Sequence, residues 1–273
     1  MSELSKRIII AVFGIPFLLG MTWCGGWYFF ALILLINITA QWEFYRLFQH
    51  KNIYPQTWTG ITAGTLLLAG LQVENVIYFR IVLILVMLLI LTVEMFRSNQ
   101  NPGVQIAVTF LGIIYITGSL AAFLFLHKWS SSFFPEEQNP GFYFVLSIFA
   151  AIWICDTLAY TFGRLLGKHK LFEKVSPKKT VEGGVAGFIG SLLVFTCVKQ
   201  LHILPLSWVM VLLFGAAVGI LGQTGDLVES WFKRDAGVKD SSSLLPGHGG
   251  ILDRFDSLLF VAPSLFIIME FFG

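Results

Sequence analysis

The stretch Gly225 to Asp256, GDLVESWFKRDAGVKDSSSLLPGHGGILDRFD, gathers six acidic residues, four basic residues and a histidine into 32 positions of an otherwise apolar chain. Asp226, Glu229, Ser230 and Lys233 recur at offsets of three, four and seven, which puts them on one face of a helix. Asp253 and Asp256 share a face at the start of a later apolar segment. Asp226 and Asp253 are thus expected to converge where two helices meet at a membrane boundary. Carboxylate oxygens suit a hard divalent cation such as Mg²⁺, which binds through a few carboxylates plus phosphate and water. The plainer reading is a set of ion pairs, Asp253 with Arg254 or a loop lysine and Asp226 with Lys233. Five carboxylates, Asp226, Glu229, Asp240, Asp253 and Asp256, stand against four cations, Lys233, Arg234, Lys239 and Arg254. That imbalance favours a pocket for a metal-bound polyphosphate.

Gly247, Gly249 and Gly250 surround His248 directly before an apolar segment. Glycine lets backbone N–H groups approach a phosphate, and a helix N-terminus adds a favourable dipole. A loop that only turns has the same composition. His248 suits a general base, a phosphate contact or a cap; a phosphate or orienting role is preferred to metal ligation. A second basic stretch, GRLLGKHKLFEKVSPKKTVEGGVAG, carries Lys178 and Lys179 after a proline turn. These lysines suit a triphosphate or an anionic headgroup, although such a loop is also an ordinary anchor to anionic lipid.

The elements that position these groups are membrane spans. The chain has 273 residues, 56% hydrophobic and 12% charged, with a mean hydropathy of +0.78. Soluble domains carry about 25% charged residues. Apolar segments near 8–22, 27–47, 57–73, 76–96, 104–126, 142–165, 183–200, 206–230 and 252–271 predict about nine transmembrane helices. Strand alternation is absent, so the expected class is an all-α polytopic membrane protein rather than a barrel. With the N-terminus in the cytoplasm, 15 of the 18 Lys and Arg fall on the cytoplasmic side and 3 (Arg80, Lys128 and Lys199) on the other. The opposite topology inverts this positive-inside bias. Both basic loops, 164–182 and 231–253, then face the cytoplasm, where nucleotides are. The N-terminal segment resembles a signal sequence without a clear cleavage site and is read as a retained first helix. Cys24, Cys155 and Cys197 are far apart, with no ligand spacing. The net charge of +2 gives no case for nucleic acid. The organisation expected is one continuous membrane domain, scaffold helices over 1–140 and catalytic helices with two cytoplasmic loops over 141–273.

The 225–256 stretch resembles the phosphatidate cytidylyltransferase (CDP-diacylglycerol synthase) family. Its signature reads S-x-hydrophobic-K-R, four residues, K-D-x-small, two residues, then hydrophobic-P-x-H-G-G-hydrophobic-x-D-R-hydrophobic-D. Here it stands as Ser230, Phe232, Lys233, Arg234, Lys239, Asp240, Ser242, Leu245, Pro246, His248, Gly249, Gly250, Ile251, Asp253, Arg254, Phe255 and Asp256. The resemblance is strong over 156–256 and weak over the first 140 residues. It implies transfer of the cytidylyl group of CTP to phosphatidate with Mg²⁺, a bacterial inner-membrane location, and a homodimer. It implies Asp226 and Asp253 as metal carboxylates, with Asp256 as a further ligand and room for a second, monovalent cation. Lys233, Arg234, Lys239 and Arg254 are then expected on the CTP phosphates, with Gly249, Gly250 and Ser230 lining the nucleotide site. Lys178 and Lys179 hold triphosphate or phosphatidate. Glu229 and Asp240 orient lysines, and Asp156 and Tyr160 complete the pocket or act as buried polar partners. The rivals are an ion-coupled transporter, a CDP-alcohol phosphotransferase and a structural membrane protein. The charge lies at one face rather than the midplane, the D-G-x-x-A-R motif of the second rival is missing, and the third has little use for so costly a cluster.

Overall fold

A computed structural model describes residues 3–97, 101–245, 247 and 249–272. Nine helices appear among them, and each matches one of the expected apolar segments. They are α1 Glu3–Cys24, α2 Gly26–Gln49, α3 Thr57–Gln72, α4 Val76–Arg97, α5 Pro102–Phe133, α6 Pro140–Leu166, α7 Val181–Gln200, α8 Trp208–Asp235 and α9 Leu252–Phe272. Seven of the nine are long and apolar enough to cross a membrane; α3 has 16 residues, and the apolar part of α1 is Val12–Cys24. The molecule is an all-α polytopic membrane protein with one addition. Residues 164–182, expected as a basic loop, contain an antiparallel hairpin, β1 Lys170–Phe172 and β2 Ser176–Thr180. Strands of three and five residues are too short to show alternation, so hydropathy alone does not mark them. Buried Val175 pins the turn.

The chain divides into two compact units that interleave along the sequence. One comprises Met1–Gly14, Phe30–Ala121 and Phe232–Arg254; the other comprises Ile15–Phe29, Ala122–Trp231 and Phe255–Gly273. In the first unit, α3, α4 and α5 share an apolar cluster of Ala63, Leu67, Val82, Val86, Ile90 and Ile113. A polar ladder fixes α2 against α5. Gln41 Nε2 donates to Thr117 Oγ1 (2.5 Å), Thr117 Oγ1 donates to Asn37 Oδ1 (2.8 Å), and Tyr45 Oη donates to the Thr109 carbonyl (2.8 Å). These three α2 residues recur every four positions, so they form one stripe of the helix. Within lipid such a stripe must find its partners inside the protein. Thr117 lies in a π-helical turn, Ile113–Gly118, within α5.

In the second unit α7 is sandwiched between α6 and α8 by small residues. A Cβ on Gly187 would meet the Cys155 carbonyl at 2.8 Å, and one on Gly219 would meet Ser191 Oγ at 2.6 Å. Small residues at such crossings let membrane helices approach backbone to backbone. Ser191 Oγ donates to the Gly215 carbonyl across α7 and α8 (2.7 Å). The start of α7 is set by Thr180, whose side chain accepts from Gly183 N (3.2 Å). The last strand of the hairpin thus runs directly into the helix cap.

Candidate active site

The first unit holds the loop from α8 to α9. Helix α8 stops at a Schellman motif: Gly237 takes φ +72°, Val238 N donates to the Lys233 carbonyl and Gly237 N to the Arg234 carbonyl. Phe232 anchors this end of the helix among Phe44, Phe48 and Tyr115, with ring centroids 5.5, 5.9 and 6.3 Å away. The next residue, Lys233, is thereby held at the interior, and its Nζ lies 2.5 Å from Asp253 Oδ1. Asp253 Oδ2 accepts from Ser241 N (3.0 Å), Ser241 Oγ (2.9 Å) and Gly250 N (2.7 Å). The Asp253 carboxylate, 5% exposed, is therefore the hub that gathers the loop.

The glycines act locally in this turn. Gly249 takes φ +79°, and a Cβ there would lie 2.7 Å from Asp253 Oδ2. A Cβ on Gly250 would strike Ser241 Oγ and the Glu43 carboxylate. Lys239, Asp240, Arg234 and Arg254 are exposed, and Arg234 Nη1 donates to the Val238 carbonyl (3.1 Å). Pro246 and His248 lie outside the described residues.

The second unit holds the other expected carboxylates. Asp226 Oδ2 lies 2.7 Å from Lys179 Nζ, and Asp226 Oδ1 accepts from Ser230 Oγ (3.2 Å). Lys179 reaches inward from β2, while its neighbour Lys178, on the opposite face of the strand, is exposed. That alternation separates the two lysines, which the sequence treats as equivalent. At Gly225 helices α8 and α9 pass closely enough that a Cβ would lie 2.6 Å from the Asp256 carbonyl. Asp226 and Asp256 therefore stand beside one crossing. Asp256 Oδ1 accepts from Ser257 N (2.6 Å). Gln223, one turn before Asp226, ties α8 to α7 by donating to the Gly184 carbonyl (3.0 Å). Glu229 is buried, whereas Asp156 and Tyr160 are exposed on α6. The base of the hairpin is closed by His169 Nδ1 and Glu182 Oε1 (2.7 Å).

One pairing differs from the expected ones: the lysine on Asp226 is Lys179, from the hairpin, while Lys233, from the stretch expected as a loop and found at the end of α8, pairs with Asp253. Hydroxyls and half-exposed carboxylate oxygens around Asp226 are the donor chemistry a hard divalent cation takes. Among the described residues no three His, Cys, Asp or Glu side chains gather as a metal cage. Mg²⁺ needs no such cage, since one or two carboxylates with phosphate and water suffice.

Glu43 was not singled out by its sequence context. It is fully buried in α2, and its carboxylate accepts four hydrogen bonds from the 241–252 turn. An acidic residue inside an apolar span was the signal available, and Glu94 in α4 carries the same one.

The model of the cytidylyltransferase family matches residues 5–272. The chain belongs to that family. As a cytidylyltransferase-family member it is an enzyme, a nucleotidyltransferase. It is 40% identical over 187 residues to a Staphylococcus saprophyticus protein named phosphatidate cytidylyltransferase, covering 68% of each chain. A protein of that name from Synechocystis is 35% identical over 284 residues, 96% of this chain and 95% of the relative. A third, from Staphylococcus epidermidis, is 48% identical over 137 residues, 50% of this chain and 53% of the relative. The match to the cytidylyltransferase family extends across the first 140 residues, where the sequence alone showed only hydrophobicity and span number.

Proposed function

We propose that this chain transfers the cytidylyl group of CTP to phosphatidate at the cytoplasmic face of a bacterial inner membrane. The observation that carries the reading is the match to the cytidylyltransferase family over residues 5–272, with Lys233 and Lys179 standing beside the expected metal carboxylates Asp253 and Asp226. Relatives named phosphatidate cytidylyltransferase support it, and the excess of Lys and Arg on one side supports the orientation. An oxygen of the phosphatidate phosphate attacks the α-phosphorus of CTP. The new P–O bond forms as the bond from the α-phosphorus to the bridging oxygen breaks, and pyrophosphate leaves with that electron pair. Both reactants are anions, so positioning and charge neutralisation dominate.

Mg²⁺, when bound, neutralises charge on the triphosphate and on the departing pyrophosphate. Asp226, beside the Ser230 hydroxyl, would hold it with phosphate oxygens and water; Asp253 and Asp256 are the alternative carboxylates, and a monovalent cation is a second candidate ion. Lys233 and Lys179 exchange carboxylate for phosphate oxygens, which lets each ammonium follow charge as it moves. Exposed Arg234, Lys239 and Arg254 take the outer phosphates of CTP, and Lys178 meets the lipid headgroup at the surface. Ser230, Gly249 and Gly250 shape the nucleotide site, and His248 orients phosphate. The expected assembly is a homodimer, which crosslinking in native membranes tests.

The deciding experiment gives purified protein labelled CTP, phosphatidate and Mg²⁺. Cytidine label moving into the lipid phase with release of pyrophosphate supports the reaction. Intact nucleotide, or uptake into sealed vesicles without turnover, overturns it in favour of a carrier.

A further inference from the structure

We infer that Glu43 is a positioning residue for cytidylyl transfer, clasping both ends of the 241–252 turn so that Asp253 and Lys233 are held in register. The inference rests on the reading that this turn serves the reaction. Glu43 Oε1 accepts from Ser242 Oγ (2.6 Å) and Ile251 N (3.0 Å), and Oε2 accepts from Leu252 N (2.7 Å) and Ser241 Oγ (3.1 Å). Two donors come from the start of the turn and two from the N-terminus of α9. A carboxylate, acceptor-only with two oxygens, matches four converging donors, and its charge complements the positive end of the α9 dipole.

The clasp bears on Asp253 directly. Ser241 Oγ lies within hydrogen-bond reach of both Glu43 Oε2 (3.1 Å) and Asp253 Oδ2 (2.9 Å), and its single hydrogen serves one at a time. Ser241 N meanwhile stays on Asp253 (3.0 Å). Gly250 has no room for a side chain because Glu43 and Ser241 fill that space. On α2, Glu43 sits two residues from Gln41 and from Tyr45, about 200° around the helix at 3.6 residues per turn. The stripe of Asn37, Gln41 and Tyr45 fastens α2 to α5, so the opposite side of a fixed rod presents Glu43 to the turn. This gives α2 a task in ordering the turn.

Glu43→Gln tests the clasp. An amide keeps one acceptor oxygen and turns the other into an NH₂ group that faces donors. The full chain in detergent is compared with Glu94→Gln, a buried carboxylate of the same unit that touches Gln56 and Arg97. Glu43→Gln is expected to lower kcat by roughly tenfold or more and to speed amide exchange over 241–252 by a similar factor, one charged hydrogen bond setting the scale. Exchange in α3 and α4 stays as in the wild type, and Glu94→Gln changes neither kcat nor exchange in the turn. Wild-type kcat and exchange in Glu43→Gln overturn the inference. So does an equal loss of both in Glu94→Gln at the same fall in unfolding midpoint. If Glu43→Gln does not fold, Ser242→Ala removes one clasp donor without stranding a charge. Faster exchange with reduced kcat in that variant supports the clasp, and unchanged values overturn it. The exchange arm uses no substrate: a wild type that fails to transfer cytidylyl overturns the reaction, while exchange still decides the clasp.

Discussion

Each unit of the molecule holds a carboxylate–lysine pair, and the two pairs are built differently. Asp253 and Lys233 are 5% and 11% exposed, and Asp253 also accepts three further hydrogen bonds on Oδ2. Asp226 and Lys179 are 33% and 24% exposed, and Asp226 has one further hydrogen bond, from Ser230. The first pair is a structural hub as well as a candidate for chemistry, while the second is free to change partners at little cost. Removing one partner of a buried ion pair leaves a stranded charge and costs about 3–5 kcal/mol. A half-exposed pair contributes about 1 kcal/mol or less. Activity and stability should therefore separate at Asp226 and fall together at Asp253.

The largest effect is expected from Asp253→Asn, with transfer lowered by about 1,000-fold or more and stability by about 3 kcal/mol or more. Adding Lys233→Met removes the stranded ammonium, so the double variant should recover most of the stability and none of the activity. Recovery of turnover in the double variant would make the pair structural alone. Asp226→Asn comes next: roughly a 100-fold loss of kcat against a shift of about 1 kcal/mol or less, read by turnover and by thermal unfolding of the same sample. A stability loss there equal to that at Asp253 would remove the contrast. Third, Lys179→Ala should cost about 10- to 100-fold in kcat/KM, the worth of a charge-assisted contact of about 1.5–3 kcal/mol. Lys178→Ala, on the outer face of the strand, should cost several-fold less.

The helices and the charged stretch were legible because both are written in short-range pattern. All nine apolar segments became helices, and the acidic residues at 226 and 253 found lysines, though not the ones that local spacing offered. Lys233 is seven residues from Asp226 but closes on Asp253, because Phe232 docks among α2 and α5 aromatics and Asp253 gathers the turn from beyond it. Such a choice depends on contacts about 20 to 200 residues apart, which periodicity does not encode. The hairpin escaped because its strands are short and mostly polar. Glu43 lies outside the charged stretch, and its one signal is a carboxylate within the apolar span of α2, which needs partners inside the protein. By composition the glycines of the turn suit a phosphate; what they visibly make room for is the carboxylates of Asp253 and Glu43.

The smallest expected effect sets the baseline for the contrast. Lys51 and Asp235 also pair at 2.5 Å, in the same unit and near the same end of α8, but at 37% and 46% exposure. Their separation equals that of Lys233 and Asp253, so distance cannot be what distinguishes them. Water screens the outer pair, and two long side chains lose rotamer freedom to make it, leaving about 0.5 kcal/mol or less. Asp235→Asn should therefore leave transfer within about twofold of wild type, since surface changes away from special features usually shift stability by no more than about 0.5 kcal/mol. If it instead costs as much as Asp253→Asn in either turnover or unfolding midpoint, burial is not what gives the inner pair its weight. The loop's dependence on Asp253 would then have to come from its three hydrogen bonds to Ser241 and Gly250 alone.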